Sequence, residues 1–278
     1  MYLYKKIKDR IIIELKYLYL SCITKCIYNN RKSEGVLKNS PVSDFCDLAV
    51  VSFNNAKVIE YQIKTLRKFF VFPYRYTVFD NSNNNEISIE IKQICTENKV
   101  GYVKLPRQEF IHDFPSYSHG IACNYLFNKY IRNGGAKYFG LLDHDIFPVE
   151  RFDISEHLEK QFFYGVRHLN HIWPGFWFMR MDSIKGKPVD FRPSYHLKGD
   201  TGVCNGPIFF KDIIWDKYEM IGDEKRCFAG YDDAYNYGYS YFTAGWIHCW
   251  NASNHMNKVD ISFKMNSIFN ILDERLSD

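Results

Sequence analysis

The sequence has no apolar run long enough to cross a membrane. Its best candidate, residues 11–28, reads IIIELKYLYLSCITKCIY and is interrupted by Glu14, Lys16 and Lys25, whereas a spanning helix needs about 20 mostly apolar residues. These charges and the lack of a cleavage site also argue against a secretory signal. Two interpretations of the segment remain open: a helix packed on the body of the protein, or a basic helix lying on an anionic membrane surface.

The sequence also lacks cysteine pairs and a broad basic face. None of its eight cysteines forms a C-x-x-C pair or a metal-finger spacing, which indicates reduced thiols in a cytoplasmic protein. The net charge is only +4. Its basic excess lies in residues 1–32, so the body is nearly neutral, which argues against a dedicated nucleic-acid binder. The predicted location is the cytoplasm, with peripheral contact at the inner face of the cell membrane through residues 1–32 as the open alternative.

Short apolar runs alternate with helical spacing through the first half of the chain. Four strands are predicted at 47–53, 76–79, 100–105 and 138–142, and helices at 56–70, 87–97 and 119–132. This alternation predicts an α/β domain with a mostly parallel central sheet flanked by helices. Ligands of such sheets bind at the carboxyl ends of the strands.

The motif Asp143-His144-Asp145 directly follows the apolar strand KYFGLL. Two carboxylates at this point are costly unless a cation neutralises them. Carboxylate oxygens are typical ligands of Mg²⁺ or Mn²⁺, and such a metal can bridge the phosphates of a nucleoside diphosphate. An exposed pair of loop carboxylates is the simpler alternative. The position of the motif directly after the fourth strand favours a metal site.

Three segments together resemble the glycosyltransferases of the GT-A fold, family 2 type. VVSFNN at 50–55 resembles the strand and loop that wrap the nucleobase, VFDNSNN at 78–84 resembles the strand end that meets the nucleoside, and LLDHDIFP at 141–148 resembles the metal-binding segment. The resemblance covers residues 47–255. It implies Ser52, Asn54 and Asp80 at the nucleoside, Asp143 at the donor ribose or sugar, and Asp145 at the metal.

The start of the helix before the metal motif, Ser118-His119-Gly120 with Asn124 one turn later, is either a donor contact or a simple cap. Trp173, Phe176 and Trp177 either stack on a sugar or belong to a buried strand. The predicted donor-binding set is Ser52, Phe53, Asn54, Asp80, Ser82, His119, Asn124, Asp143, His144 and Trp177.

The second half of the chain is expected to supply the base and further metal ligands. The resemblance implies an acidic pair followed by a histidine, an order that Asp232-Asp233 and His248 occupy, and the pair is favoured as catalytic base over Asp200. The predicted metal ligands are Asp143, Asp145, His248 and His255, although a lone histidine is more often structural.

The predicted organisation is a basic helical extension and linker at 1–43, a nucleotide-sugar-binding half at 44–148 and an acceptor-binding half at 149–278. The expected function is transfer of a sugar from a nucleotide sugar, with UDP favoured, to a glycan or lipid-linked hydroxyl, with Mn²⁺ or Mg²⁺ as cofactor. A sugar-phosphate nucleotidyltransferase is the first alternative, but VVSFNNAK lacks the Gly-rich basic loop of that class. A non-catalytic carbohydrate-binding protein is the second.

Overall fold

The computed structural model describes residues 2–37, 44–108, 115–194, 196–228, 230, 232–233, 237–252 and 261–278. The strands are β1 Glu34–Val36, β2 Cys46–Ser52, β3 Tyr74–Asp80, β4 Gly101–Lys104, β5 Tyr138–Asp143, β6 Ile146–Pro148, β7 Phe163–His168, β8 His171–Arg180, β9 Asp223–Cys227, β10 Gly238–Phe242 and β11 Trp246–His248. The helices are α1 Tyr2–Cys26, α2 Ala56–Phe69, α3 Asn85–Glu97, α4 Pro115–Leu126, α5 Ser155–Leu158, α6 Met181–Ile184 and α7 Ser262–Ser277.

A seven-stranded sheet with the order β1-β4-β3-β2-β5-β8-β7 forms the centre of the molecule. Its four inner strands, β4, β3, β2 and β5, run parallel. The flanking strands β1, β8 and β7 are antiparallel to their neighbours. The predicted α/β class with a mostly parallel central sheet is therefore confirmed, and the four strands of the first half lie where the apolar runs predict them.

Both faces of the sheet are covered, as an α/β arrangement requires. Every residue of β2 is buried. Leu48 and Val50 pack into the core shared with α2, whereas Ala49 and Val51 face the core shared with α4. This explains why the strand reads as a continuous apolar run rather than an alternating one.

A second, antiparallel sheet has the order β6-β11-β10-β9. Its first strand, β6, comes directly after the turn that carries the predicted metal motif. Because β11 pairs with β6 in the register His248↔Ile146, the sheet brings a late segment of the chain back to this turn.

The predicted extension, 1–43, is partly built into the domain. β1 lies inside this predicted extension and linker and pairs with β4, so it extends the central sheet. α1 packs through Leu20 against the core on the α4 side, and Tyr28 in the turn that follows is fully buried there. Among the helices that the structure describes, none combines the length and apolarity needed to span a bilayer.

Candidate active site

A cleft of about 1050 Å³ opens at the carboxyl ends of the parallel strands. The chain moves outward from β2 through β3 to β4 and then returns to the other side of β2 with β5. The gap between β2 and β5 is therefore the topological switch point, where ligands of open α/β sheets bind. The volume is just above the range of about 300–1,000 Å³ for small-molecule pockets, so the cleft is large enough for a small-molecule ligand.

One wall of the cleft is formed by two loops that are tied to each other. Asn54 follows β2 in a left-handed conformation with φ of 47°. Its backbone N–H donates to Ser82 Oγ at 2.9 Å, and its side-chain oxygen accepts from the N–H groups of Asn83 and Asn84, both at 3.1 Å. The two loops therefore act as one polar surface, of which Asn54, Asn81, Ser82, Asn83 and Asn85 line the cleft.

Asp80 supports this wall from below. Its side chain is fully buried and does not line the cleft. It accepts hydrogen bonds from the Ser82 N–H at 2.8 Å, the Tyr102 hydroxyl at 2.9 Å and Lys104 Nζ at 3.1 Å, and also from the Ser88 hydroxyl. Burial raises its pKa, but the bonds from Ser82 and Ser88 and the charge of Lys104 outweigh this and lower it. The geometry makes Asp80 a positioning residue for the loop rather than a direct nucleoside contact.

The turn between β5 and β6 forms the floor, and a buried glutamine holds it. Gln62 of α2 donates from Nε2 to the carbonyl oxygens of Asp143 at 2.8 Å and Ile146 at 2.7 Å, and its own oxygen accepts from the Tyr76 hydroxyl. His144 accepts from the Phe53 N–H at 3.1 Å and so joins the turn to the β2 loop. The backbone of the metal motif is thus fixed from two sides.

Asp143, Asp145 and His248 converge on this floor. One possible ligand atom from each lies within 4.8 Å of the others, close enough to hold a metal ion between them. His248 Nε2 is 3.5 Å from Asp145 Oδ1, while Asp145 Oδ2 accepts from the Ala252 N–H at 3.2 Å. The sequence-predicted ligand His255 lies outside the described residues.

The electrostatics of the two carboxylates differ. Burial and the neighbouring charge of Asp145 raise the pKa of Asp143 to about 7. Burial would also raise the pKa of Asp145, but the hydrogen bond and charge of His248 outweigh it and lower it to about 2. Two carboxylates and an imidazole with little solvent around them fit a divalent cation. Such a cation would neutralise both carboxylates and coordinate the ring nitrogen of the imidazole.

The far wall carries a second histidine and a further acid. His119, near the start of α4, places Nε2 3.6 Å from Asp143 Oδ1, and burial lowers its pKa, which favours the neutral ring. Asp200 also lines the cleft, with its Oδ1 accepting from the Thr201 N–H at 2.7 Å. Its side chain is exposed, and its charge acts on both His119 and Asp143.

Several sequence-predicted residues lie elsewhere. Asn124 donates to Asp190 and accepts from the Phe191 N–H, away from the cleft. Trp177 is fully buried in β8 and packs edge-on against Phe139 and Phe191. The strand interpretation of the segment around Trp177 is therefore confirmed, and in this structure its ring cannot reach a sugar.

Of the remaining predicted residues, one lines the cleft and three do not. Ser52 is buried beneath the cleft, whereas Phe53 lines it. Asp232 and Asp233 are exposed, and neither is among the described residues that line the cleft.

The sequence interpretation missed part of the lining. Lys104 ends the third parallel strand, so the rule that identified Asp143 also points to it. Trp250 was also missed, whereas Trp173 was among the aromatic residues considered for a sugar stack; the two flank His248, with ring centroids 6.2 Å and 4.9 Å from the imidazole. Ser118, the open donor contact or cap, lines the cleft, and further lining residues outside the predicted set are Val51, Leu105, Pro106, Arg107, Gln108, Pro115, Ser116, Thr201 and Asn251.

Comparison with known proteins does not assign the chain to a family. No family model matches it, and no curated protein matches its sequence. Solved structures with partial likeness include the mannosyltransferase PcManGT from Pyrobaculum calidifontis in complex with GDP-Man and Mn²⁺, at 10% identity and a TM-score of 0.39 over 62% of this chain and 55% of that chain.

Two further structures show likeness at the same level. The mannosyltransferase Ktr4p from S. cerevisiae gives 13% identity and a TM-score of 0.35 over 65% of this chain and 67% of that chain. S. aureus TarS 1-349 gives 17% identity and a TM-score of 0.32 over 52% of this chain and 50% of that chain. Scores this low do not transfer an activity, so a functional assignment has to rest on the cleft itself.

Proposed function

We propose that the protein is a metal-dependent glycosyltransferase that uses a nucleoside-diphosphate sugar, with a UDP-sugar as the favoured donor. The observation that carries the proposal is the convergence of Asp143, Asp145 and His248 at the switch-point cleft. A divalent cation held there would neutralise charge on the departing diphosphate. The resemblance of the three ordered segments at 50–55, 78–84 and 141–148 to the GT-A fold, family 2 type, supports the same assignment.

The residues of the cleft divide into two working regions. The amide wall around Asn54 offers donors and acceptors to a nucleobase and ribose, and Arg107 adds positive charge at that end. The opposite region, with Trp173 and Trp250 beside His248, offers flat faces for a sugar ring. The acceptor, a glycan or lipid-linked hydroxyl, would enter on the side of Asp200.

Asp200 is the best-placed carboxylate to receive the acceptor proton. It lines the cleft, is exposed to an incoming hydroxyl and is close enough to Asp143 for its charge to act there. We therefore propose Asp200, rather than Asp232 or Asp233, as the general base. His119 would orient Asp143 or contact the diphosphate.

The ligand set also bears on the choice of metal. Mg²⁺ prefers an all-oxygen shell with several waters, whereas the imidazole of His248 is a nitrogen ligand. We therefore expect Mn²⁺ to bind more tightly than Mg²⁺.

Thermal unfolding with Mn²⁺, Mg²⁺ or EDTA, each with UDP or GDP, tests the proposal. Mn²⁺ with the correct nucleotide should raise the unfolding temperature, since a ligand at about 100 times its Kd stabilises by about 2.7 kcal/mol. Asp145→Asn should abolish the shift, while Asp212→Asn, an exposed acid outside the cleft, should retain it.

Product analysis then separates the possible reactions. Release of UDP or GDP from a nucleotide sugar in the presence of Mn²⁺ supports a glycosyltransferase. Formation of pyrophosphate from a sugar phosphate and a nucleoside triphosphate supports a nucleotidyltransferase instead. Binding of sugars with neither reaction supports a carbohydrate-binding protein.

A further inference from the structure

Helix α1 is apolar on two opposite faces, but the body of the protein uses only one of them. Ile13, Tyr17, Leu20 and Thr24 follow a spacing of four, three and four residues, which places them on one face. Leu20 and Thr24 are buried, and Tyr17 packs edge-on against Tyr117 of α4. This inward face accounts for the packing of the helix on the domain.

The other face has the same spacing and is exposed. Ile11, Leu15, Leu18 and Cys22 are also separated by four, three and four residues. Ile12 and Tyr19 widen this line into what we term the outward stripe. Exposure of its large side chains is 52% for Ile11, 42% for Ile12, 59% for Leu15, 62% for Leu18 and 61% for Tyr19. An apolar surface of this kind on a charged helix is typical of an interaction site.

Basic residues border the outward stripe. With about 100° between successive residues, the exposed Lys16 and Lys25 lie on its two opposite edges. The chain before the stripe adds Lys5, Lys6, Lys8 and Arg10. Lysine is depleted at protein–protein interfaces, whereas a lysine border around aliphatic and tyrosine side chains is typical of helices that lie in a lipid headgroup region. The charge complements an anionic bilayer.

We propose that the outward stripe of α1 docks the protein on an anionic lipid surface. The helix lies parallel to the bilayer, with Leu15 and Leu18 inserted below the headgroups. The stems of Lys16 and Lys25 extend back to the lipid phosphates. This docking does not depend on the proposed sugar transfer, because it uses residues outside the cleft.

Vesicle flotation of the full-length protein tests the docking. We expect the protein to float with vesicles of phosphatidylcholine and phosphatidylglycerol and to remain unbound with phosphatidylcholine alone. Leu15→Glu combined with Leu18→Glu should lower binding at least tenfold. Lys25→Glu should weaken it severalfold and reduce its sensitivity to salt. The matched control is Ile89→Glu, which changes an equally exposed isoleucine of α3 and should bind like the wild type.

Two results would overturn the proposal. The first is equal flotation of the wild type and the Leu15/Leu18 double variant. The second is a wild-type dimer that the double variant converts to a monomer without any vesicle binding, which would assign the stripe to a second copy of the chain. Unfolding temperatures of all variants, measured alongside, show that the comparison is made between folded proteins.

Discussion

At the scale of single residues, the cleft separates groups that hold the backbone from groups that face the ligand. Asp80 and Gln62 are fully buried and fully engaged in hydrogen bonds. Asp143, His119 and Asp200 retain exposed surface and face the open volume. Sequence motifs do not make this distinction, because an aspartate after a strand looks the same whether it binds a ligand or supports a loop.

The choice of base can be tested with three matched substitutions. Asp200→Asn should lower kcat by about 10²–10⁴-fold, the usual contribution of a general base, with little change in donor affinity. Asparagine keeps the acceptor for the Thr201 N–H, so the loop should remain in place. Asp232→Asn and Asp233→Asn should leave kcat nearly unchanged. Steady-state kinetics on all three decide the matter, and the reverse ranking would return the role to the Asp232-Asp233 pair.

His171 should make the protein sensitive to acid. The side chain is fully buried, and burial together with the charge of His168 lowers its pKa to about 4. The unfolded chain binds this proton at about pH 6.5, so stability is complete above that pH and is lost as the pH falls toward 4. At about pH 5 the loss should reach about 2 kcal/mol.

Urea unfolding at about pH 7.5 and about pH 5 measures this effect, and His171→Gln serves as the comparison. The variant should lose less stability between the two conditions than the wild type does. An equal loss in both proteins would assign the acid sensitivity to other groups.

At the scale of elements, sequence patterns and long-range pairing contribute differently. The runs at 47–53, 76–79, 100–105 and 138–142 locate the parallel strands well, because each is an uninterrupted buried segment between helices. The second sheet could not be derived in this way. Its pairing of β6 with β11 joins segments about a hundred residues apart, and that pairing is what brings His248 to Asp145.

The same pairing brings one predicted and one unpredicted residue to the cleft. His248 was predicted from the order of motifs. Trp250, two residues later, was not predicted and reaches the cleft from the same strand end. Trp177 was misassigned to the donor because periodicity alone does not separate a buried strand from an aromatic loop. The ring lies on the face of β8 that packs into the core on the α4 side of the sheet.

Gln62 should couple α2 to the metal site. Gln62→Leu would remove the donors to the Asp143 and Ile146 carbonyls and leave the Tyr76 hydroxyl without its acceptor. Buried groups left unsatisfied cost about 1–3 kcal/mol each, so we expect lower stability and weaker Mn²⁺ binding. Calorimetric titration with Mn²⁺ measures the second effect.

Thr65→Val is the control on the same helix. The Thr65 hydroxyl is buried and donates to the carbonyl oxygens of Tyr61 and Gln62, which both belong to α2. This change should alter stability but not Mn²⁺ affinity. Equal Mn²⁺ affinity in Gln62→Leu and the wild type would contradict the role assigned to the glutamine.

At the scale of the whole molecule, α1 and its following turn belong to the body of the domain. Leu20 and Tyr28 are 3% and 0% exposed, so the core includes them. Removing residues 1–32 should therefore destabilise the protein by about 3–6 kcal/mol, the sum expected for two large buried side chains. Removing residues 1–10, which precede the packed half, should have little effect on stability. Urea unfolding of the two truncated proteins compares them directly.

The same helix packs beside the cleft, and the turn after it reaches the rim. Tyr17 packs on Tyr117, the Ser21 hydroxyl accepts from Arg192, and the Tyr28 hydroxyl accepts from Gln108, which lines the cleft. For the two proposed ligands, a bilayer on the outer side of α1 and a nucleotide in the cleft, thermodynamic reciprocity applies. By whatever factor vesicles change the nucleotide dissociation constant, the nucleotide must change the vesicle partition coefficient by the same factor.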